Sequence, residues 1–332
     1  MNYSLAVSLF ILFIISHVGL AKSWEDKNYH KFSETCMGTK FSIIIDDDDL
    51  SFSKRVAQEA FNEALRLDNI LSDYLSESEL SKISQISGSA GFTQISDDLF
   101  NVLESAQSLS TETKGSFDIT IGPLTRLWRI ARFKKVLPSR NKLSSAQKRV
   151  GYKNVLLNPL NKEVRLLKEG MTLDLGGIAK GYAADQMLQI CKINNLPRVL
   201  IDAGGDILAG EAPRNKKGWL VEIGGRKHSC LPILTLSNIA IATSGDIEQS
   251  VTINNKTYSH LINPKTGIGL TSMAQITIVA PTAMEADSLA SACLVLGLNE
   301  TKKLLKSKNE VHAYLLDNNN NNVILHQIAG GP

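Results

Sequence analysis

The stretch Leu173-Asp-Leu-Gly-Gly-Ile-Ala-Lys-Gly-Tyr-Ala-Ala-Asp185 decides how this chain is read. The apolar run Met171 to Leu175 predicts a strand, Gly176 and Gly177 a turn, and Ile178 to Asn194 a helix. Backbone without Cβ atoms can approach an anionic oxygen closely, and the helix start behind it offers free N–H groups and the positive end of its dipole. A Gly-Gly turn also serves tight packing alone, so phosphate binding and packing both stay open at this stage.

A second segment, Ala286-Asp-Ser-Leu-Ala-Ser291, lies about a hundred residues further on inside an apolar helix. Asp287 and Ser291 stand at i and i+4, so both oxygens leave one helix face towards a common point. Their neighbours Ala286, Leu289, Ala290, Ala292, Leu294 and Val295 are apolar, and a carboxylate kept from water needs a cation or hydrogen-bond donors. A carboxylate and a hydroxyl suit a hard cation such as Mg²⁺, which fills its shell with water and phosphate. Together the two segments describe a diphosphate and metal site.

The 332 residues are 43% hydrophobic and 21% charged, a globular composition with ample core. A net charge of +3 points to no particular partner. The four cysteines, Cys36, Cys191, Cys230 and Cys293, form no C-x-x-C pair, so neither a zinc site nor a disulfide framework is indicated. Cys191 and Cys293 fall in predicted helices and read as buried hydrophobes. Leu5 to Ile15 is a nearly unbroken apolar run followed by Gly19 and Ala21, the small residues expected before a signal-peptidase cut. Residues 1–21 are therefore expected to be a signal peptide, with an uncleaved anchor that would hold the chain at a membrane as the alternative reading. No cysteine precedes Cys36 to accept a lipid, which predicts a soluble, exported chain over residues 22–332.

Phe41 to Ile45 reads as a strand and Asp46 to Asp49 as a solvated acidic loop before an amphipathic helix over Ser53 to Tyr74. Ser96 caps a second helix running to Thr113, with Gly115 just past its end. Arg126 to Arg149 carries many cations and no acid, a solvated basic face or a docking surface. Strands are expected over Val164 to Leu167, Arg198 to Asp202, Gly218 to Ile223, Ile239 to Thr243, Ser250 to Ile253 and Ala274 to Val279. A helix follows from Met284 and another over Glu300 to Lys306. A final hairpin joins Val311–Leu316 to Val323–Gln327 across the Asn-rich turn Asp317 to Asn322. With neither repeat nor linker, the pattern is an α+β fold of long antiparallel sheets with packed helices in one catalytic unit.

Eight blocks in one order resemble the ApbE family of FAD:protein FMN transferases. They are Met37-Gly-Thr39; Ser72-Asp-Tyr74 with Ser78-Glu-Leu-Ser81; Gly115-Ser-Phe-Asp118 with Gly122-Pro-Leu124; Asp174 to Gly181; Ile201-Asp-Ala-Gly-Gly-Asp206; Thr243-Ser-Gly245; His260-Leu-Ile-Asn-Pro264 with Thr266-Gly267; and the Asp287 helix. The resemblance runs from Cys36 to Leu325 and implies two closely associated lobes, with mixed and antiparallel sheets and the flavin between them. It implies that Met37, Tyr74, Ser116, Phe117, Asp118, Asp174, Lys180, His260 and Ile262 contact FAD. Read alone, Asp118 and Asp174 serve equally well to cap turns, and Met37 and Tyr74 to fill core.

On the same resemblance, Asp287, Ser291 and the backbone at Gly177 hold Mg²⁺. FMN passes from FAD to a threonine hydroxyl of a target protein, releasing AMP, with His260 and Asp287 as the catalytic pair. Asn263 stands where many relatives carry Asp, so an amide is left to orient His260. The implied acceptors are exported domains of respiratory complexes such as Na⁺-pumping NADH:quinone oxidoreductase or Rnf. Two alternatives remain at this stage: a Mg²⁺-dependent FAD pyrophosphatase, and a non-catalytic flavin-storage protein.

Overall fold

The computed structural model describes residues 29–223, 232–245, 250–272, 274–308, 310–319 and 322–328. The expected signal peptide and Cys230 lie outside these residues. The elements run β1 (Tyr29–Cys36), β2 (Thr39–Asp46), α1 (Leu50–Leu71), α2 (Glu79–Gln85), β3 (Thr93–Gln94), α3 (Asp97–Glu112), α4 (Gly122–Lys134) and α5 (Arg140–Gln147). Next come β4 (Val155–Asn158), β5 (Glu163–Leu166), α6 (Ala179–Ile193), β6 (Val199–Ala203), β7 (Asp206–Ala209), β8 (Trp219–Glu222), β9 (Ile233–Leu236) and β10 (Ile239–Gly245). The chain continues with β11 (Val251–Ile253), β12 (Lys256–Tyr258), β13 (Ile262–Asn263), β14 (Ile268–Gly269), β15 (Gln275–Ala280), α7 (Ala283–Leu296), α8 (Leu298–Leu305), β16 (His312–Asn319) and β17 (Asn322–Ile328).

Eight strands form one antiparallel sheet in the order β1-β2-β6-β7-β10-β15-β16-β17. Successive side chains of a strand point to opposite faces, so a run apolar at every position must be covered on both. β2 is such a run. Phe41, Ile43 and Ile45 join the core formed with α1, α6 and α7, while Ile44 joins a second cluster with Leu200, Trp219, Val221, Leu234 and Leu236, where the β8–β9 hairpin covers the other face. A smaller lobe gathers Leu124, Trp128 and Ala131 of α4 against Ala146 of α5, Val251, Tyr258 and Ile262. Trp128 Nε1 donates to the Gly267 carbonyl at 2.9 Å, and Gln147 Nε2 donates to the Pro264 carbonyl, so this lobe fixes the loop that carries His260. The α+β architecture with two closely associated lobes is as the sequence leads one to expect.

The contact that matters most for function lies between α6 and α7. A Cβ on Gly181 would sit 2.2 Å from the carbonyl oxygen of Ala283 and 2.8 Å from Cα of Met284, so only glycine allows the two helices this approach. The helices also cap each other. Asp185 of α6 accepts from the Ala283 and Met284 N–H groups at 2.8 and 2.9 Å, and Asp287 of α7 accepts from Gly181 N–H at 3.2 Å. Each carboxylate satisfies backbone donors that a helix start leaves without intrahelical partners.

Several elements differ from expectation. Met171 to Leu175 forms no ladder strand: Asp174 N–H bonds the Ile119 carbonyl at 2.8 Å, Leu173 N–H bonds Ser84 Oγ at 3.1 Å, and a single parallel bridge joins Thr172 to Ile121. Its apolar residues are buried between helices rather than in the sheet. The acidic loop is not uniformly solvated. Asp49 caps α1 through Phe52 N–H at 2.9 Å, whereas Asp46 is buried and accepts from Arg214 Nε at 3.0 Å and Arg214 N–H at 2.6 Å. The last hairpin keeps pairing into the asparagines, as far as Asn319 opposite Asn322. Cys191 and Cys293 are buried, as expected.

Gly181→Ala sets a methyl against immovable backbone, and overpacking of that kind costs about 1–3 kcal/mol or more. Thermal unfolding should show a drop of several degrees for Gly181→Ala and almost none for Gly91→Ala, where nothing lies within 4 Å of the added carbon. Equal melting temperatures would contradict the close approach of α6 and α7.

Candidate functional site

A cavity of about 450 Å³ opens between the two lobes. Tyr74, Ser116, Phe117, Asp118, Asp174, Gly177, Lys180, His260, Ile262, Asp287 and Ser291 all line it, although they come from segments scattered over more than two hundred residues. Met37 does not line it. That residue sits in the β1–β2 turn with φ of 50° and packs against the main core.

At the base, the first turn of α6 meets the middle of α7. α7 is apolar almost all round and buried, so Asp287 is only 4% exposed. Lys180 Nζ lies 2.9 Å from Asp206 Oδ2 and 3.4 Å from Asp287 Oδ2. Two carboxylates therefore share one ammonium. Burial opposes the charge on Lys180, yet Asp206 and Asp287 together hold it protonated well above the usual lysine range. Asp287 has the opposite balance: burial, with Asp206 adding to it, pushes its carboxyl up to about 6 against the pull of Lys180. Half a share of one cation leaves that carboxylate short of positive charge.

The surrounding donors suit a hard cation. A Cβ on Gly177 would fall 2.8 Å from Ser291 Oγ, so the Gly177 backbone and the Ser291 hydroxyl lie in direct contact. Among the described residues no three His, Cys, Asp or Glu side chains converge on one point. A metal here would thus take one carboxylate, one hydroxyl and a peptide carbonyl. That all-oxygen set suits a hard divalent cation such as Mg²⁺, for which Mn²⁺ can stand in, completed by water and phosphate.

His260 is held between the bonds Ser259 N–H to Leu270 O, at 2.7 Å, and Leu270 N–H to Leu261 O, at 2.8 Å. Burial first, then the positive charges of Arg132 and Lys180, press its pKa down to about 4. The imidazole is neutral at pH 7, and its buried Nδ1 meets no hydrogen-bond partner. Asn263 does not orient it: Asn263 Oδ1 accepts the Lys265 N–H at 2.9 Å and closes its own turn.

The two other acids are partly structural. Asp118 accepts from Thr120 N–H at 2.9 Å, Thr120 Oγ1 at 2.6 Å and Tyr152 N–H at 2.9 Å, which leaves its carboxylate little capacity for a ligand. Asp174 caps the Gly176 N–H at 2.9 Å and faces Arg129 Nη2 at 3.6 Å. Arg129 also pairs with Asp73 at 2.6 Å and lies 3.9 Å over the ring of Tyr74 at the cavity mouth. Sequence reading assigned no role to Arg129, Arg132 or Asp206. For Asp206 a signal existed, an acid straight after Gly204-Gly205 between two apolar strands; the arginines were hidden in a basic run.

The sequence model of the ApbE family matches residues 37–315. An FAD:protein FMN transferase of Haemophilus influenzae is 28% identical over 326 residues, covering 95% of this chain and 94% of the relative. One from Treponema pallidum is 29% identical over 279 residues, covering 77% of each. Among solved structures, an ApbE protein from Thermotoga maritima superposes with a TM-score of 0.80 at 25% identity, covering 90% of this chain and 97% of that one. The flavin transferase ApbE of Vibrio cholerae shares the fold with a TM-score of 0.78 at 23% identity and the same coverage.

The depressed histidine gives a pH signature. An unfolded imidazole takes its proton near 6.5 and the folded one near 4, so stability that His260 contributes above pH 6.5 is lost as the pH falls towards 4. An anionic diphosphate bound beside it should raise that pKa. NMR titration should find His260 neutral at pH 6 in the free protein and its midpoint shifted upwards with ADP bound; a midpoint near 6.5 in both states would count against the geometry.

Proposed function

Since the chain belongs to the ApbE family, we propose that it is an FAD:protein FMN transferase, moving FMN from FAD to a threonine hydroxyl of an acceptor protein with release of AMP. The observation that carries this reading is the meeting, in one cavity, of the Lys180–Asp287 pair, the Ser291–Gly177 contact and a neutral His260. Ile119, Ile121, Val221, Ile223, Ile241 and Ile262 supply apolar wall suited to a flavin ring.

The threonine oxygen attacks the phosphorus on the FMN side of the diphosphate. A new Oγ–P bond forms, the P–O bond to the AMP phosphate breaks, and His260 takes the threonine proton. Positioning and charge stabilisation supply most of the rate in such a transfer. Lys180 is placed to turn from Asp287 to the diphosphate oxygens. The free N–H groups expected at the start of α6 are taken instead, Ala179 by the Leu175 carbonyl and Gly181 by Asp287. Mg²⁺, held by Asp287, Ser291 and the Gly177 carbonyl, would neutralise negative charge on the diphosphate.

The reading is tested with FAD, Mg²⁺ and a flavin-accepting domain of a Na⁺-pumping NADH:quinone oxidoreductase or Rnf complex. Mass spectrometry should find the acceptor heavier by one FMN minus water on a threonine, with AMP in equal amount, and Asp287→Ala should lose both products. Rapid AMP release without acceptor, and no labelled acceptor, would instead assign the chain as an FAD pyrophosphatase.

Export would bring the chain to those acceptors, and the segment from Leu5 to Ala21 has the apolar run and small residues of a signal peptide, although Met1 to Ser4 carry no Lys or Arg. N-terminal sequencing of the protein from cells should begin near Lys22. Recovery of Met1 on a membrane-embedded product contradicts cleavage.

A further inference from the structure

Helix α4 borders the cavity and carries an unusual outer face. Leu124, Trp128 and Ala131 are buried, whereas Ile130 is 53% exposed and Phe133 89% exposed. Lys135 ends the helix in the left-handed region, at φ of 52°, and the chain that turns away presents Val136 at 62% exposure. At about 100° per residue, Arg126, Arg129, Ile130 and Phe133 fall within roughly one third of the helix circumference. Arg132, next to Phe133 in sequence, adjoins that arc. Arg129 and Arg132 line the cavity, and Arg129 stacks on Tyr74, which is 75% exposed at its mouth. The apolar side chains therefore continue the rim of the cavity outwards. Around them residues 126–149 hold nine Arg and Lys and no Asp or Glu.

Resting on the transferase reading, we propose that this face of α4, centred on Phe133 with Ile130 and Val136, is the docking surface for the acceptor protein. The acceptor would meet it with apolar side chains set among carboxylates. A protein hydroxyl that reaches the bound diphosphate must pass the rim formed by Tyr74, Arg129 and Arg132. Whatever carries that hydroxyl thus covers the neighbouring residues of the same helix. Exposed aromatic side chains flanked by arginine are the composition of interface anchors, and the acid-free segment complements an acidic partner and steers it. A lipid bilayer is the other surface that basic and apolar side chains attract. Seated here, it would block the approach of the acceptor.

The test compares the wild-type chain, Phe133→Ser/Val136→Ser and Leu160→Ser. Leu160, 92% exposed on the β4–β5 turn, does not line the cavity and serves as control. The acceptor is the flavin-accepting domain used above, and FAD affinity is measured in parallel. Loss of an aromatic anchor should raise KM for the acceptor about tenfold or more, with kcat and FAD affinity unchanged and the control like wild type. The wild-type KM should also rise with salt. If wild type labels the acceptor and the double variant keeps its KM, the docking surface is wrong and the transferase reading stands. Loss of binding to phosphatidylglycerol vesicles in the double variant, with acceptor KM unmoved, would assign the patch to lipid. If wild type binds FAD yet labels no acceptor, the transferase reading fails and takes this inference with it.

Discussion

Everything at the site depends on how closely α6 and α7 approach. Gly181 removes the side chain that would keep them apart, and the gap it leaves is filled by the backbone of Ala283 and Met284. That approach brings Asp287 to the first turn of α6 and Asp185 to the first turn of α7, so the acids of one helix cap the other. Gly177 repeats the device one turn earlier, against Ser291. The glycines that read as a phosphate-binding turn are therefore also packing residues. The two readings of the sequence describe one object, because the contact that needs the glycines is the one that assembles the polar groups.

The second determinant is charge balance in a buried place. Asp206, Lys180 and Asp287 form a chain with one cation between two anions, the reverse of what a diphosphate would meet in a purely cationic cleft. Removing Lys180 would leave two buried carboxylates uncompensated, and breaking a buried pair in this way costs about 3–5 kcal/mol, whereas removing either acid leaves a matched pair. The arrangement leaves Asp287 short of positive charge, with its carboxyl pushed up to about 6 by burial and Asp206 against the pull of Lys180. Across the cavity, burial together with Arg132 and Lys180 keeps His260 neutral. A ligand carrying negative charge favours a proton on the imidazole, and by drawing Lys180 away it leaves Asp287 shorter still of positive charge, a deficit that a bound cation would fill.

Much of this was legible in the sequence, for identifiable reasons. α1 announced itself through apolar periodicity, α3 through its cap Ser96 and α7 through its apolar run, because those signals are local, whereas Asp49 and Thr282 show themselves as caps of α1 and α7 only in the fold. Most site residues lay in short motifs whose order resembles a known family. What stayed hidden depended on distant partners. Met171 to Leu175 has the composition of a strand, yet Ser84 and Ile119 take its N–H groups. Asp118 shares a motif with Phe117, but Thr120 and Tyr152 engage it. Arg129 and Arg132 sit in a run of cations that looks uniformly solvated, and only the fold distinguishes the two that reach the cavity from those that do not. Asn263 could not be judged from its neighbours at all, since its partner is the N–H of Lys265 in its own turn.

The central claim is that the α6–α7 contact creates a metal and diphosphate site from Asp287, Ser291 and the Gly177 backbone. Anomalous diffraction from crystals grown with FAD and Mn²⁺ in place of Mg²⁺ tests it most directly. The account predicts one strong manganese peak coordinated by a carboxylate oxygen of Asp287 and by Ser291 Oγ, touching the diphosphate, with Lys180 Nζ moved from Asp287 to a phosphate oxygen. A manganese peak elsewhere in the cavity, or an FAD complex in which Lys180 still bridges Asp206 and Asp287, would contradict it.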